Sequence, residues 1–204
     1  STYRKKPFRR NLFLLGFIFG FGYYLSGIFW IAHSLTFDVN FKILIPFAIF
    51  FIPLFLGLFT GLTIFIIGQF LNYNFSSLLL FSGSIALSDF IRGKILTGFP
   101  WNLWSYSWSW FTEFLQILNL IGLYSFNLIV ITIFTIPAVF FFRIKEFKKV
   151  LILSFSILIF FLFYLFGTFK INTNKAIINY LKKDDKIYTK VVSPNFKLEY
   201  NTSI

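Results

Sequence analysis

Asp89 and Arg92 stand three residues apart, a spacing that lets a carboxylate and a guanidinium pair on one helix face. Two chemistries are open to that arginine. It can stay paired or snorkel to a membrane surface on its long stem, or its planar fork can grip a lipid phosphate. The stretch around it, Ser88 to Trp110, holds four of the five tryptophans and the run Thr97-Gly98-Phe99-Pro100-Trp101. Pro100 disfavours helix at Phe99, so Gly98 to Trp101 is expected to be a fixed turn. Trp104, Tyr106, Trp108 and Trp110 then alternate with small or polar residues. As an extended strip they would share one face, either as an interfacial aromatic belt or as a rim that admits a lipid or a lipidated substrate. Lys94 reads as a flank, and Glu113 as an acid suited to the start of the next helix.

Other chemistry is scarce. There is no serine–histidine–acid constellation, no close pair of carboxylates and no phosphate-cradling glycine loop. The 204 residues contain no cysteine, which removes disulfides, thiolate metal sites and a cysteine nucleophile from this stretch of chain. His33 is the only histidine and cannot build a metal site alone.

What positions these residues is a membrane bundle. The sequence is 57% hydrophobic and 24% aromatic but only 13% charged, too oily for water to be the main solvent. The net charge of +12 sits beside hydrophobic runs, which points to membrane flanks and anionic headgroups rather than nucleic acid. A basic leader, Ser1 to Arg10, precedes an uncharged run from Asn11 to Phe37, long enough to cross a hydrocarbon core that needs about 20 residues. It ends at Trp30-Ile31-Ala32-His33-Ser34, where Trp30 reads as an interfacial aromatic. The uncharged run Ile43 to Ser88 divides at Asn72-Tyr73-Asn74 into two spans, with Pro53 deep enough in the first to kink it. Gly16, Gly20 and Gly27, and again Gly57, Gly61 and Gly68, mark faces that a neighbouring helix can approach closely. Phe114 to Phe142 is the fourth span, and Val150 to Phe169 the fifth. Gln116, Asn119 and Asn127 fall near one stripe of an ideal helix and are expected to face the bundle.

The expected fold is therefore an all-α polytopic membrane protein, a bundle of about five transmembrane helices over residues 1–170. Residues 171–204 are expected to be a linker and the opening of a water-facing domain, because the composition turns polar after Lys170 and Ile187 to Val192 alternates like a strand. The chain reads as a fragment that stops inside that unit. The leader and the basic loop of Arg143, Lys145, Lys148 and Lys149 fall on one side, cytoplasmic by the positive-inside rule. The aromatic segment and the tail then face outward.

The aromatic segment also carries a resemblance. Asp89-Phe90-Ile91-Arg92-Gly93, Thr97-Gly98-Phe99-Pro100-Trp101 and Tyr106-Ser107 resemble the membrane domain of bacterial apolipoprotein N-acyltransferases. Asp89 stands where that family usually has glutamate. Gly20-Phe21-Gly22 and Ser26-Gly27-Ile28-Phe29-Trp30 agree with the family's pattern. Val191-Val192-Ser193-Pro194-Asn195 resembles the first strand of its nitrilase-like domain, with Ser193 in place of glutamine and Tyr200 where a tryptophan is usual. The resemblance implies an enzyme of the bacterial cytoplasmic (inner) membrane. Such an enzyme moves an acyl chain from a phospholipid onto the amino group of a diacylglyceryl-cysteine at a lipoprotein's N-terminus, by a ping-pong route through a thioester. Its glutamate, lysine and cysteine would lie in a truncated α/β nitrilase-like domain on the periplasmic side, past Ile204, so no catalytic residue is expected here. By the resemblance no metal or organic cofactor is expected, and the expected partners are the phospholipid donor, the diacylglyceryl-modified apolipoprotein and the bilayer. The candidate substrate-binding residues are Arg92, Phe99, Pro100, Trp101, Trp104, Tyr106 and Trp30. The alternative is a multispan transporter or channel subunit whose aromatic loop is only a belt; it should show broken helices and buried charge at mid-membrane.

Overall fold

The structure is a computed structural model that describes residues 9–95, 100, 102–142 and 144–181. Its helices are α1 (Arg9–Ile28), α2 (Ile45–Ile67), α3 (Phe75–Ile95), α4 (Thr112–Leu115), α5 (Leu118–Thr135) and α6 (Glu146–Leu181). Stretches of 3-10 helix follow α1 (Phe29–Thr36), lead into α2 (Val39–Leu44), join α3 to α4 (Trp104–Trp108) and finish α5 (Ile136–Phe141). With these extensions, five helices among the described residues are long and apolar enough to cross a membrane. The chain is a multi-pass membrane protein, all-α among the described residues, as its composition required. The expected strand over Ile187–Val192 and the Val191–Asn195 run lie outside the described residues, as do Phe99, Trp101 and Arg143.

Local chemistry sets the ends of these helices. Asp38 caps the entry to α2 by accepting from the Asn40 amide at 2.9 Å. The break between the second and third spans falls at Asn72–Asn74, as expected. There the Asn74 side chain accepts from the Ser77 amide and the Ser77 hydroxyl accepts from the Asn72 amide, both at 2.8 Å. α2 runs through Pro53, which is buried against its neighbours. α3 continues to Ile95, past the Ser88 at which the uncharged run ends. Arg92 and Lys94 in its last turn oppose the partial negative charge of the helix end.

Two expectations need correction. The fourth span is not one continuous helix. Gly122 adopts φ 75°, ψ 169°, a conformation open essentially to glycine alone, and it resets the helical phase. The three amides therefore do not share a stripe: Asn127 is fully buried, Gln116 is half-buried and bonded to the Thr112 carbonyl, and Asn119 is exposed. The fifth span is longer than Val150–Phe169. α6 has 36 residues, about 54 Å of helix, and passes through Lys170 without a break.

The core begins with α1 on α2. Leu12, Gly16, Gly20, Tyr24 and Ile28 recur every four residues and form the buried face of α1. Opposite lie Leu56, Gly57, Thr60 and Gly61 of α2. A methyl at Gly20 would collide with the Thr60 hydroxyl and sit 3.1 Å from the Gly57 Cα. The two glycine sets are thus two sides of one interface, except Gly27, which makes room for the Asn102 side chain instead of a helix. α3 and α5 complete this core, with Ile85, Ala86 and Ile131 packed together. α6 joins it near its start, at Ile152, and around its middle, from Phe160 to Gly167.

Candidate functional site

Arg92 is the largest fully buried side chain in the structure. One of its terminal nitrogens, Nη2, donates to Asp89 Oδ1 at 2.9 Å, so the pairing read from their spacing is real. The pair does not snorkel to an interface. It is enclosed inside the bundle, with the guanidinium carbon 5.1 Å from the centre of the Tyr24 ring. Asp89 Oδ2 accepts from the Asn127 side-chain amide at 2.9 Å, and Asn127 Oδ1 accepts from the Ser105 backbone N–H at 3.1 Å. Four elements meet in this chain of bonds: α1 through Tyr24, α3 through Asp89 and Arg92, α5 through Asn127, and the 3-10 turn through Ser105. Arg92 Nε and Nη1 find no acceptor among the described residues. Two charges withdrawn from water this way are costly unless every contact holds, which makes the arrangement a rigid anchor rather than a source of stability.

That anchor fixes the aromatic segment. Trp104 to Trp108 is a 3-10 turn, not the extended strip expected from the alternation. With three residues per turn, alternate residues cannot share a face. Trp104 turns inward and stacks on Tyr23 at 4.4 Å, with the rings 10° from parallel. Trp108 packs between Phe114 and Phe160 at 4.9 and 4.7 Å. Only Trp110 stands free, at 89% exposure. The turn closes through Tyr106, whose hydroxyl donates to the Pro100 carbonyl at 3.1 Å. The Tyr23 hydroxyl donates to the Asn102 carbonyl at 2.8 Å and ties the segment to α1. Asn102 itself takes φ 42°, the left-handed conformation that asparagine tolerates better than most residues.

A crevice of about 370 Å³ opens between α1 and this segment, walled by Tyr23, Gly27, Asn102, Trp104, Tyr106 and Ser107. It brings Trp104 and Tyr106 together, with Pro100 bonded to the latter. Trp30 does not line it; 59% exposed, it donates to the carbonyl of Gly27, a wall residue, at 3.1 Å. Arg92 lies enclosed within the bundle. Outside the spans, burial raises the Tyr106 phenol above its ordinary pKa, Tyr124 adds to the shift, and the Arg92 guanidinium opposes it. Among the described residues no three of His, Asp and Glu come together as a metal site would need.

Tyr23, Asn102 and the Ser105 amide were not singled out in the sequence. Tyr24 could have been, since it continues the four-residue ladder of Leu12, Gly16 and Gly20. Tyr23 and Ser105 carry no such signal, because one contributes a ring face and the other a backbone group.

Comparison with known proteins bears on these residues. The family model described as the apolipoprotein N-acyltransferase N-terminal domain matches residues 2–136, a region that takes in α1 to α5 and every residue of the buried network. A protein of Rickettsia bellii named apolipoprotein N-acyltransferase is 38% identical over 144 residues, 70% of this chain and 29% of its own length. Proteins of the same name from Rickettsia prowazekii and Rhodopseudomonas palustris are each 34% identical. The matches cover 78% and 62% of this chain, and 32% and 24% of those proteins. The chain thus spans about a quarter to a third of the length of these curated relatives. No solved structure matches it. Nothing in these comparisons supports the transporter alternative.

Proposed function

The chain belongs to the apolipoprotein N-acyltransferase family, and on that premise we propose that it is the membrane half of an enzyme transferring an acyl chain from a phospholipid to the N-terminal amino group of a diacylglyceryl-cysteine. The observation that carries this reading is the crevice hung on the buried Asp89–Arg92–Asn127 network. It combines aromatic faces suited to lipid chains with polar edges suited to a headgroup or a peptide end, on a segment that cannot sag because a buried ion pair holds it. In this reading Trp104, Tyr106 and Trp30, with Pro100, are the rim; Phe99 and Trp101, proposed as substrate-binding from the sequence, lie outside the described residues. Arg92 is enclosed, so it acts on the rim through Asp89 and Asn127 as a positioning residue.

The covalent step belongs to a glutamate, a lysine and a cysteine on a nitrilase-like domain, with residues 171–204 leading into it. These 204 residues hold no cysteine, so a thioester cannot form on them. The rim and that domain face the periplasmic side of the inner membrane, with the basic loop at the start of α6 in the cytoplasm.

The test is acyl transfer to a diacylglyceryl-cysteine peptide by the full-length protein. Trp101→Ala removes an aromatic face, and Arg92→Lys keeps the charge but loses the fork. Each is expected to lower turnover by roughly tenfold or more while membrane insertion stays normal, since a displaced substrate costs rate steeply. Normal turnover in both variants would make the segment purely structural. Labelling of Ser107→Cys from the cytoplasmic side alone would separate rim and catalytic domain and defeat the proposal.

A further inference from the structure

α6 is fastened at two places and stands away between them. Near its start, Lys149 donates to the Phe140 carbonyl at 3.4 Å, and Ile152 packs on Leu78, Val139 and Phe142. Near its middle, Gly167 lies against the Glu113 backbone, and Phe160 packs on Trp108 and Phe114. Between these contacts α3, α5 and α6 enclose a cavity of about 740 Å³, walled by Leu79, Gly83, Leu128, Ile133, Phe155 and Ile159. Its two hydroxyls are turned away: Thr132 donates to the Leu128 carbonyl at 2.8 Å and Ser156 to the Ile152 carbonyl at 2.7 Å. No wall group asks for water, so the space is suited to hydrocarbon. The space is of the size that small ligands fill, about 300–1,000 Å³. Gly83 is informative because a side chain there would meet nothing within 4 Å. Close packing does not require that glycine, and its bareness leaves the cavity open.

Charge marks one end. Leu151 and Ile152, in the first turns of α6, belong to the wall. Lys145 and Lys148 precede them, both exposed and with no acidic partner among the described residues, whereas Lys149 is paired with Glu146 at 2.8 Å. We propose that this cavity holds an acyl chain of an anionic glycerophospholipid drawn from the leaflet in which α6 begins, with the phosphate met by Lys145 and Lys148. The lipid fills a gap that protein leaves empty, so it supports the first half of α6 between its two sets of protein contacts. The site lies toward the opposite end of the bundle from the aromatic crevice. It requires only that the chain sits in a bilayer, and it stands or falls separately from acyl transfer.

The experiment is native mass spectrometry of the full chain in mild detergent, after exposure to phosphatidylglycerol or phosphatidylcholine. Wild type is expected to retain one phosphatidylglycerol through washing and to prefer it over phosphatidylcholine. Replacing both lysines, K145Q with K148Q, should lower that preference by about fivefold per lysine and leave phosphatidylcholine retention unchanged. Gly83→Phe should abolish retention of both lipids at unchanged helicity. Ile159→Trp, entering from the opposite wall, does the same if Gly83→Phe does not fold. Leu62→Phe, on an exposed face of α2, should change nothing. Equal retention of the two lipids by wild type, or undiminished retention in a folded cavity-filling variant, would overturn the proposal.

Discussion

α1 and α6 are both long apolar helices, yet they are held in opposite ways. α1 meets α2 along most of its length, backbone close to backbone, with Gly16 and Gly20 facing Thr60 and Gly57. α6 is the longest helix and buries the smallest share of its most apolar window, 11% against 28% for the span that begins with α1. Gly167 is its only fully buried residue among those described. In a bilayer, exposed leucine and phenylalanine cost nothing, so hydrophobicity cannot pull two helices together; close packing and polar contacts must do it. α1 has the small residues for that and α6, apart from Gly167, does not. The four-helix core of α1, α2, α3 and α5 is therefore the rigid part, and α6 is an attached strut.

The core should break hardest where charge is buried. Asp89→Ala leaves the Arg92 guanidinium enclosed with its one acidic partner gone, which costs about 3–5 kcal/mol. Thermal unfolding in detergent would show a large fall in Tm, and the double variant Asp89→Leu with Arg92→Leu should recover most of it. If the single variant unfolds like the parent, the ion pair is not what locks α3 to α5 and the aromatic turn.

The glycines sharpen the contrast between core and strut. Gly20→Leu forces a side chain into Thr60 and the Gly57 backbone, and overpacking of this kind costs about 1–3 kcal/mol of core stability. Gly167→Leu meets the Glu113 backbone just as directly. Because α6 has so few other contacts, it is expected to swing outward and relieve the clash. A crosslink between cysteines placed at Glu113 and Thr168 should be lost while core unfolding barely changes. Equal destabilisation by the two variants would mean α6 belongs to the core after all.

How much of this could be read from the chain follows the same division. The i, i+4 glycine ladder of α1, the Asn72–Asn74 break and the Asp89–Arg92 pair are local patterns with a fixed geometric meaning, and each appears where its spacing put it. The aromatic turn was misread because alternation suggests a period of two, whereas the Asn127 side chain captures the Ser105 amide and winds Trp104–Trp108 more tightly. The amide stripe failed because one glycine, Gly122, shifts the phase of everything before it. The full length of α6 was hidden by Lys170 and its polar neighbours, which end an oily run without ending a helix. Contacts made through ring faces, such as Tyr23 on Trp104, leave no periodic trace.

The finest probe of the comparison is a single phenol. Tyr106 is 40% exposed, bonded to the Pro100 carbonyl, and its pKa is raised by partial burial before any charge acts on it. The folded state thus holds this proton more tightly than the unfolded chain, whose tyrosines titrate near pH 10. The resulting stabilisation is fully present below about pH 10 and is lost as pH rises through the folded value. Wild type should therefore lose Tm above pH 10 more steeply than Tyr106→Phe, by a margin that is small because solvent reaches the ring. The phenol's titration, followed by tyrosinate absorbance difference between the two proteins, should have its midpoint above that of a tyrosine in the unfolded chain. Gly167→Leu should leave that curve in place, since α6 does not hold the Tyr106 turn, whereas loosening the core with Asn127→Ala frees the Ser105 amide and should bring the phenol back toward its ordinary value. A curve that moved with the strut and not with Asn127 would reverse which part of the molecule carries the crevice.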